Sequence, residues 1–294
     1  MSQVKTSTFT VAKVYIKDFV ELTKFRLGAL VIFSSLVSLY VVSGGQAMIT
    51  TYFLLGLGGF LVSGAASALN EVFEKDYDAL MERTKDRPIP AGRMSSAEGV
   101  FYAGLMALGG ISLLAMINPL TAFLSTLSLI LYAFVYTPYK RFSNIAVLIG
   151  AVPGAFPLLI GGVAFHGFIS LDAIFLFGMQ FFWQFGHFWA IAWVGDKDYK
   201  KAGFQLLPFD GRKTEKVGLI SMWSCLPLIL CSMMVFRNGV NSYLALGVVF
   251  ILGLFFLYRS YELYRDCTDK AAKRLMFASF IYLPAVLLAY SLNV

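Results

Sequence analysis

Three oxygen-bearing side chains, Asn70, Glu74 and Asp78, recur every fourth residue in Asn-Glu-Val-Phe-Glu-Lys-Asp-Tyr-Asp. On a helix that spacing stacks them along one side. Such oxygens suit a hard divalent cation, and magnesium commonly takes one or two carboxylates together with substrate phosphate oxygens. Like charges at this spacing repel, so something positive is expected against them. Directly after comes Arg83-Thr84-Lys85-Asp86-Arg87-Pro88. Guanidinium and ammonium groups beside a carboxylate-held metal would make a pocket for a diphosphate. The plainer reading is a solvated helix end whose basic residues serve topology alone.

A second acidic pair, Asp196 and Asp198, follows Trp183-Gln184-Phe185-Gly186-His187-Phe188-Trp189. If it lies at the same membrane surface, it could hold a second magnesium and clamp a diphosphate from the opposite side. Asp-Lys-Asp alone says little. His187 sits in a long apolar run, which is costly unless it faces a cavity or a partner. It reads either as a hydrogen-bonded core histidine or as a proton carrier. His166, near the opposite surface, receives no role.

The elements that must position these groups are membrane spans. Of 294 residues, 58% are hydrophobic and 14% charged, with a mean hydropathy of +0.72. A soluble domain carries roughly a quarter charged residues. Stretches free of Asp, Glu, Lys and Arg run 27–70, 99–139, 142–171, 173–195, 217–236, 238–258 and 275–294. A helix needs about 20 residues to span the hydrocarbon. The first two stretches each hold two helices, turning at Gly44-Gly45 and Asn118-Pro119. The expectation is an all-α bundle of nine transmembrane helices in one domain, 1–294.

Alternate segments then carry all 24 basic residues but Arg237. That partition places the N-terminus in the cytoplasm and the C-terminus outside. Basic residues confined between apolar runs set orientation, so the net charge of +7 does not point to nucleic acid. Cys225, Cys231 and Cys267 form no CxxC pair and read as packing residues. No cleavable signal peptide is evident. Residues 1–26 read as an N-terminal interfacial segment. Val11, Val14, Tyr15, Phe19 and Leu22 lie on one side, with Lys13, Lys17, Asp18, Glu21 and Lys24 mostly opposite.

With these motifs in hand, the sequence resembles the UbiA-type intramembrane prenyltransferases, and within them the branch that prenylates heme. The resemblance covers most of the chain. It rests on Asn70 through Arg93, on Tyr136-Thr-Pro-Tyr-Lys-Arg141, on Gly150 through Gly161, and on Trp183 through Pro208. Phe25 and Gly186 stand where that family has proline, and Asp86 where it has asparagine. The second acidic motif is shorter than in quinone-forming relatives, and with Trp-Gln-x-x-His-Phe-Trp it points to heme.

The resemblance implies helices around a central cavity with both acidic helix ends at its cytoplasmic mouth. Asn70, Glu74 and Asp78 correspond to the first metal motif and Asp196 and Asp198 to the second, with Mg2+ as cofactor. Arg83, Lys85, Arg87 and Lys140 would neutralise the diphosphate of farnesyl diphosphate. Heme b would be the acceptor and heme O the product, with His187 contacting heme or moving protons. Implied besides are a bacterial plasma-membrane location, lipid around the bundle, and heme A synthase or terminal oxidase assembly partners. Two rivals stay open. One is a quinone precursor or another aromatic acceptor. The other is a transporter, which would place its charges near mid-membrane.

Overall fold

The computed structural model describes residues 8–209, 211–237 and 241–294, with side chains from Tyr15 onward. All regular structure among the described residues is helical. In chain order the helices are α1 (Thr8–Leu22), α2 (Phe25–Ser43), α3 (Ile49–Asp78), α4 (Ser96–Ala115) and α5 (Pro119–Ile130). A π-helical segment (Leu131–Tyr136) and a single turn, α6 (Thr137–Tyr139), extend α5. Then come α7 (Ala146–His166), α8 (Leu171–Val194), the short α9 (Asp196–Lys201), α10 (Glu215–Met234), α11 (Tyr243–Asp266) and α12 (Asp269–Ser291).

Each charge-free stretch becomes helix, and the two expected turns fall where their residues dictate. Gly44 ends α2 in the left-handed conformation, its N–H reaching the carbonyls of Tyr40 and Val41, the usual use of glycine past a helix end. Asn118 caps α5 through Thr121, with Pro119 at the first helical position.

Eight helices among the described residues are long and apolar enough to cross a membrane. The ninth expected span, α8, is a 24-residue helix that is not among them. Its three tryptophans, two glutamines and histidine hold its hydropathy below that of its neighbours. About 36 Å long by its rise, α8 packs between α7, α10 and α12.

The core has two lobes. One joins α2 through α5 with the outer part of α7; the other joins α8, α10, α11 and α12 with part of α7. Helix α7 is thus the shared wall, with 72% of its spanning window buried. Its Pro157 has no N–H for the carbonyl of Pro153, and Ser128 of α5 supplies the missing donor at 3.3 Å. An unmet carbonyl in hydrocarbon costs several kcal/mol, so this bond ties α5 to α7. Gly161 lets α2 approach closely, because a Cβ there would lie 2.2 Å from the Ser35 carbonyl oxygen.

The amphipathic reading of α1 needs one correction. Asp18 does not face water: it is 4% exposed, and Arg93 Nε donates to its Oδ1 at 2.8 Å. Leu22 is buried, whereas Tyr15 and Phe19 are exposed on the outer side. Val11, Lys13 and Val14 lie outside the described side chains.

Candidate active site

Helix α3 runs 30 residues without a break, so Asn70, Glu74 and Asp78 stack on one side of its last turns. All three are buried. Asn70 Nδ2 donates to Glu74 Oε2 at 2.9 Å and to Thr137 Oγ1 at 3.2 Å. Cations lie against the row. Lys140 Nζ is 2.5 Å from Glu74 Oε1, and Arg87 Nη1 is 2.6 Å from Asp78 Oδ2.

Lys24, read from the sequence as a polar-side residue of the interfacial segment, completes the row: its ammonium donates to Asn70 Oδ1 at 2.7 Å. It sits at the joint between α1 and α2 with φ of 48°, a left-handed conformation that costs a non-glycine residue about 1–2 kcal/mol. Burial pulls its pKa down to about 7; Arg87 and Lys140 push the same way, against Glu74 and Asp78.

The π-helical turn brings the other wall. Thr137 donates to the Tyr132 carbonyl five residues back, at 2.9 Å, and the chain then delivers Lys140 to Glu74. Its ammonium also lies 5.0 Å above the Tyr136 ring. Tyr136 fits because a Cβ on Gly150 would meet that ring at 2.6 Å. Arg141 donates to the Phe73 carbonyl and covers the Tyr77 ring at 4.3 Å.

The loop after α3 is fastened at several points. Glu71, fully buried, accepts the Ile89 N–H at 3.0 Å. Thr84 donates to the Asp78 carbonyl at 2.9 Å. Arg93 reaches Asp18, Glu21 and the carbonyl of Asp86 together. Glu71 carried no separate signal in the sequence, lying inside the acidic run it helps to hold.

The second acidic pair reaches the same loop. Asp198 accepts the N–H groups of Glu82 at 3.0 Å and Arg83 at 3.3 Å. Partial burial opposes ionisation, yet these two bonds, with Lys201 and Arg83, hold the carboxyl below its ordinary range. Asp196 pairs with Lys200 at 2.8 Å. Arg83 lies over the Tyr199 ring at 5.6 Å, and Lys85 pairs at the surface with Glu82. Asp198, Arg83 and Lys85 therefore gather on the loop's outer side, while Arg87 and Lys140 face the row on α3.

His187 is elsewhere. Its Nδ1 is 2.8 Å from Ser279 Oγ on α12, and its ring stacks on Trp183 at 4.4 Å. Next to it, Gly186 gives room to Phe256, whose ring a Cβ would meet at 2.8 Å. His187 does not line the cavity that opens one turn below Asn70. That cavity lies between α2, α3, α5 and α7 and is walled mainly by aliphatic side chains and small serines, with Ala66, Ser67 and Tyr132 at its upper end.

The donor set fits magnesium. Two carboxylates and an amide share one helix side, and Asp78 Oδ1 is buried without a hydrogen-bond partner. Among the described residues no three His, Cys, Asp or Glu side chains gather around one point, so a bound cation would need further oxygens, as magnesium takes from phosphates.

The profile of the UbiA prenyltransferase family matches residues 31–282. The chain belongs to the UbiA prenyltransferase family. With its spans, this makes it an integral membrane protein. A relative from Christiangramia forsetii, named protoheme IX farnesyltransferase, is 41% identical over 283 residues, covering 95% of this chain and 93% of its own. The fold is similar to a solved structure of digeranylgeranylglyceryl phosphate synthase, with a TM-score of 0.80 and 18% identity over 95% of this chain and 98% of that one. It is similar also to a UbiA homologue from Archaeoglobus fulgidus bound to GPP and Mg2+, with a TM-score of 0.64 and 15% identity, covering 93% and 99%.

Proposed function

We propose that this UbiA-family chain transfers the farnesyl group of farnesyl diphosphate to a vinyl group of heme b, giving heme O. The observation that carries the reading is the row Asn70, Glu74 and Asp78, met by Lys24, Lys140 and Arg87 at the head of a largely apolar cavity. The relative named for this transfer supports the choice of acceptor.

Arg87 and Lys140, which face the row on α3, bind the diphosphate oxygens and take up the charge that grows on them, and Arg83 and Lys85 join them on leaving Tyr199 and Glu82. Asn70, Glu74 and Asp78 would hold magnesium, which would supply Lewis-acid charge at that group; Asp196 and Asp198, assigned to it by motif, would first have to give up Lys200 and the Glu82 and Arg83 N–H groups. The bond between C1 and oxygen breaks with its electron pair leaving on the diphosphate. The allylic cation stays among mainly aliphatic walls that exclude most water, with Tyr132 the aromatic residue at their upper end. The vinyl π-electrons form the new carbon–carbon bond; water then adds to the neighbouring carbon and loses a proton, leaving a hydroxyl. His187, on the α8–α12 side, contacts the heme. The protein works in the bacterial plasma membrane, N-terminus in the cytoplasm and C-terminus outside, beside heme A synthase or the machinery that assembles a terminal oxidase.

The test is product analysis by chromatography and mass spectrometry. Membranes holding the protein receive heme b, farnesyl diphosphate and magnesium, beside a Glu74→Gln, Asp78→Asn control. Magnesium-dependent heme O that disappears in the control is expected. Prenylation of a quinone precursor with no heme O would overturn the acceptor, and absence of any prenyl transfer by folded protein would overturn the reading.

A further inference from the structure

The hairpin of α11 and α12 carries a charged cluster that the reaction does not use. Glu262 on α11 is 4% exposed, and each of its carboxylate oxygens holds a different guanidinium. Arg259 Nη1 lies 2.5 Å from Oε2, and Arg274 Nη1, across on α12, lies 3.1 Å from Oε1. One negative charge thus fixes two positive ones. Neither arginine makes another hydrogen bond among the described residues, although a guanidinium carries more N–H groups than one bond uses. The Arg274 side chain is 45% exposed. Lys270, exposed and one turn before Arg274, adds a third cation to the same side of α12. The neighbouring acids are taken: Asp266 by Arg265 at 2.6 Å and Asp269 by Lys213 at 2.7 Å.

The sequence gives the depth of this cluster. Arg259 directly follows the charge-free stretch 238–258, and Arg274 directly precedes the stretch 275–294. Both guanidiniums therefore stand where the hydrocarbon ends, at the level of lipid phosphates. Apolar surface continues below them: Tyr258 and Leu254 on α11 and Phe277 and Ile281 on α12 are exposed. Arg259 also lies 5.0 Å over the Phe255 ring and 5.6 Å over that of Tyr258, so aromatic faces as well as Glu262 hold it in place. We infer that the α11–α12 face binds an anionic phospholipid, its phosphate between Arg259 and Arg274 and its acyl chains along Phe277 and Leu254. Paired guanidiniums match phosphate oxygens in charge and in planar geometry. A phosphate free in water has no use for the apolar surface, whereas one that carries acyl chains covers it. A zwitterionic lipid would bring its own cation towards Lys270, so the cluster selects the anionic class. The inference is independent of the reaction proposed above.

The test is native mass spectrometry of the purified full chain in detergent, given equal amounts of phosphatidylglycerol and phosphatidylcholine with matched acyl chains. The parent protein is expected to retain phosphatidylglycerol in preference by about tenfold or more, since each basic residue near an anionic headgroup contributes about fivefold. Arg274→Gln should cut that preference by about fivefold, and it leaves Glu262 paired with Arg259. A triple variant, Arg259→Gln, Glu262→Gln and Arg274→Gln, should retain the two lipids alike. Lys197→Gln removes one charge from another exposed position on the same basic side and should leave the preference unmoved. Should the triple variant fold poorly, Arg274→Gln against Lys197→Gln still decides. Equal retention of both lipids by the parent protein, or an Arg274→Gln variant that keeps the full preference, would overturn the site. A fall as large in Lys197→Gln as in Arg274→Gln would overturn it too, by assigning the preference to overall charge. Phosphatidylglycerol stripped from the parent protein by excess inorganic phosphate would overturn the lipid as occupant.

Discussion

Lys24 and Asn70 are 46 residues apart in sequence and 2.7 Å apart in space. The contact joins the start of α2 to the row of Asn70, Glu74 and Asp78 on α3, in a part of the site that neither motif announces. Lys24→Met removes a charged donor from a buried amide oxygen, a loss worth about 1.5–3 kcal/mol. A fall in kcat/KM for farnesyl diphosphate of roughly 10- to 100-fold is expected, read by product formation in membranes. Lys24→Arg should restore part of it, and an unchanged rate in Lys24→Met would remove Lys24 from the site.

Asp78 combines an ion pair with Arg87 and a buried oxygen lacking a partner. Asp78→Asn is expected to raise the magnesium concentration needed for half-maximal turnover by at least about tenfold, since the retained shape carries one carboxylate fewer. Chelation by EDTA should stop the parent enzyme and added magnesium restore it. Magnesium titrations of both proteins check this, and superimposable curves would exclude Asp78 as a ligand.

Ser279 holds His187 from α12. Ser279→Ala should leave KM for farnesyl diphosphate unchanged and raise KM for heme b, because only the acceptor side is touched. Separate titrations of the two substrates distinguish this from a general loss of packing, which would move both.

Arg93 fastens the interfacial helix to the donor loop. Arg93→Ala leaves the Asp18 carboxylate buried and unpaired, a cost on the order of 3 kcal/mol. A lower Tm in detergent is expected, with a raised KM for farnesyl diphosphate as the loop loosens. An Asp18→Ala, Arg93→Ala double variant should recover part of the Tm by removing the stranded charge.

Much of this architecture was legible in the chain. The charge-free stretches delimit the helices because charges mark where hydrocarbon ends, and Gly44 and Asn118 break them for local reasons. The row on α3 was legible for the same cause: a spacing of four needs only a continuing helix. Contacts made by distant partners were not. Asp18 looks like a water-facing residue until Arg93, 75 positions later, is folded against it. Asp198 looks like a metal ligand by type, yet it accepts two backbone N–H groups of the loop, which local spacing does not encode. His187 belongs by motif beside heme, but its contacts lie with α12, and only packing could reveal that side.

The π-helical turn at Leu131–Tyr136 has a consequence for how this site tolerates change. An α-helix rotates about 100° per residue, whereas the wider π turn, bonded five residues back, rotates less and so absorbs one surplus residue without changing the bearing of those that follow. Deleting a residue between 131 and 136 would let the winding become regular and leave Lys140 near Glu74. Deleting one beyond the turn, between 137 and 139, would swing Lys140 round by about 100° and away from it. Alignment that scores identities alone would count both chains as intact, although only the second had lost a cation, and through phase rather than through composition.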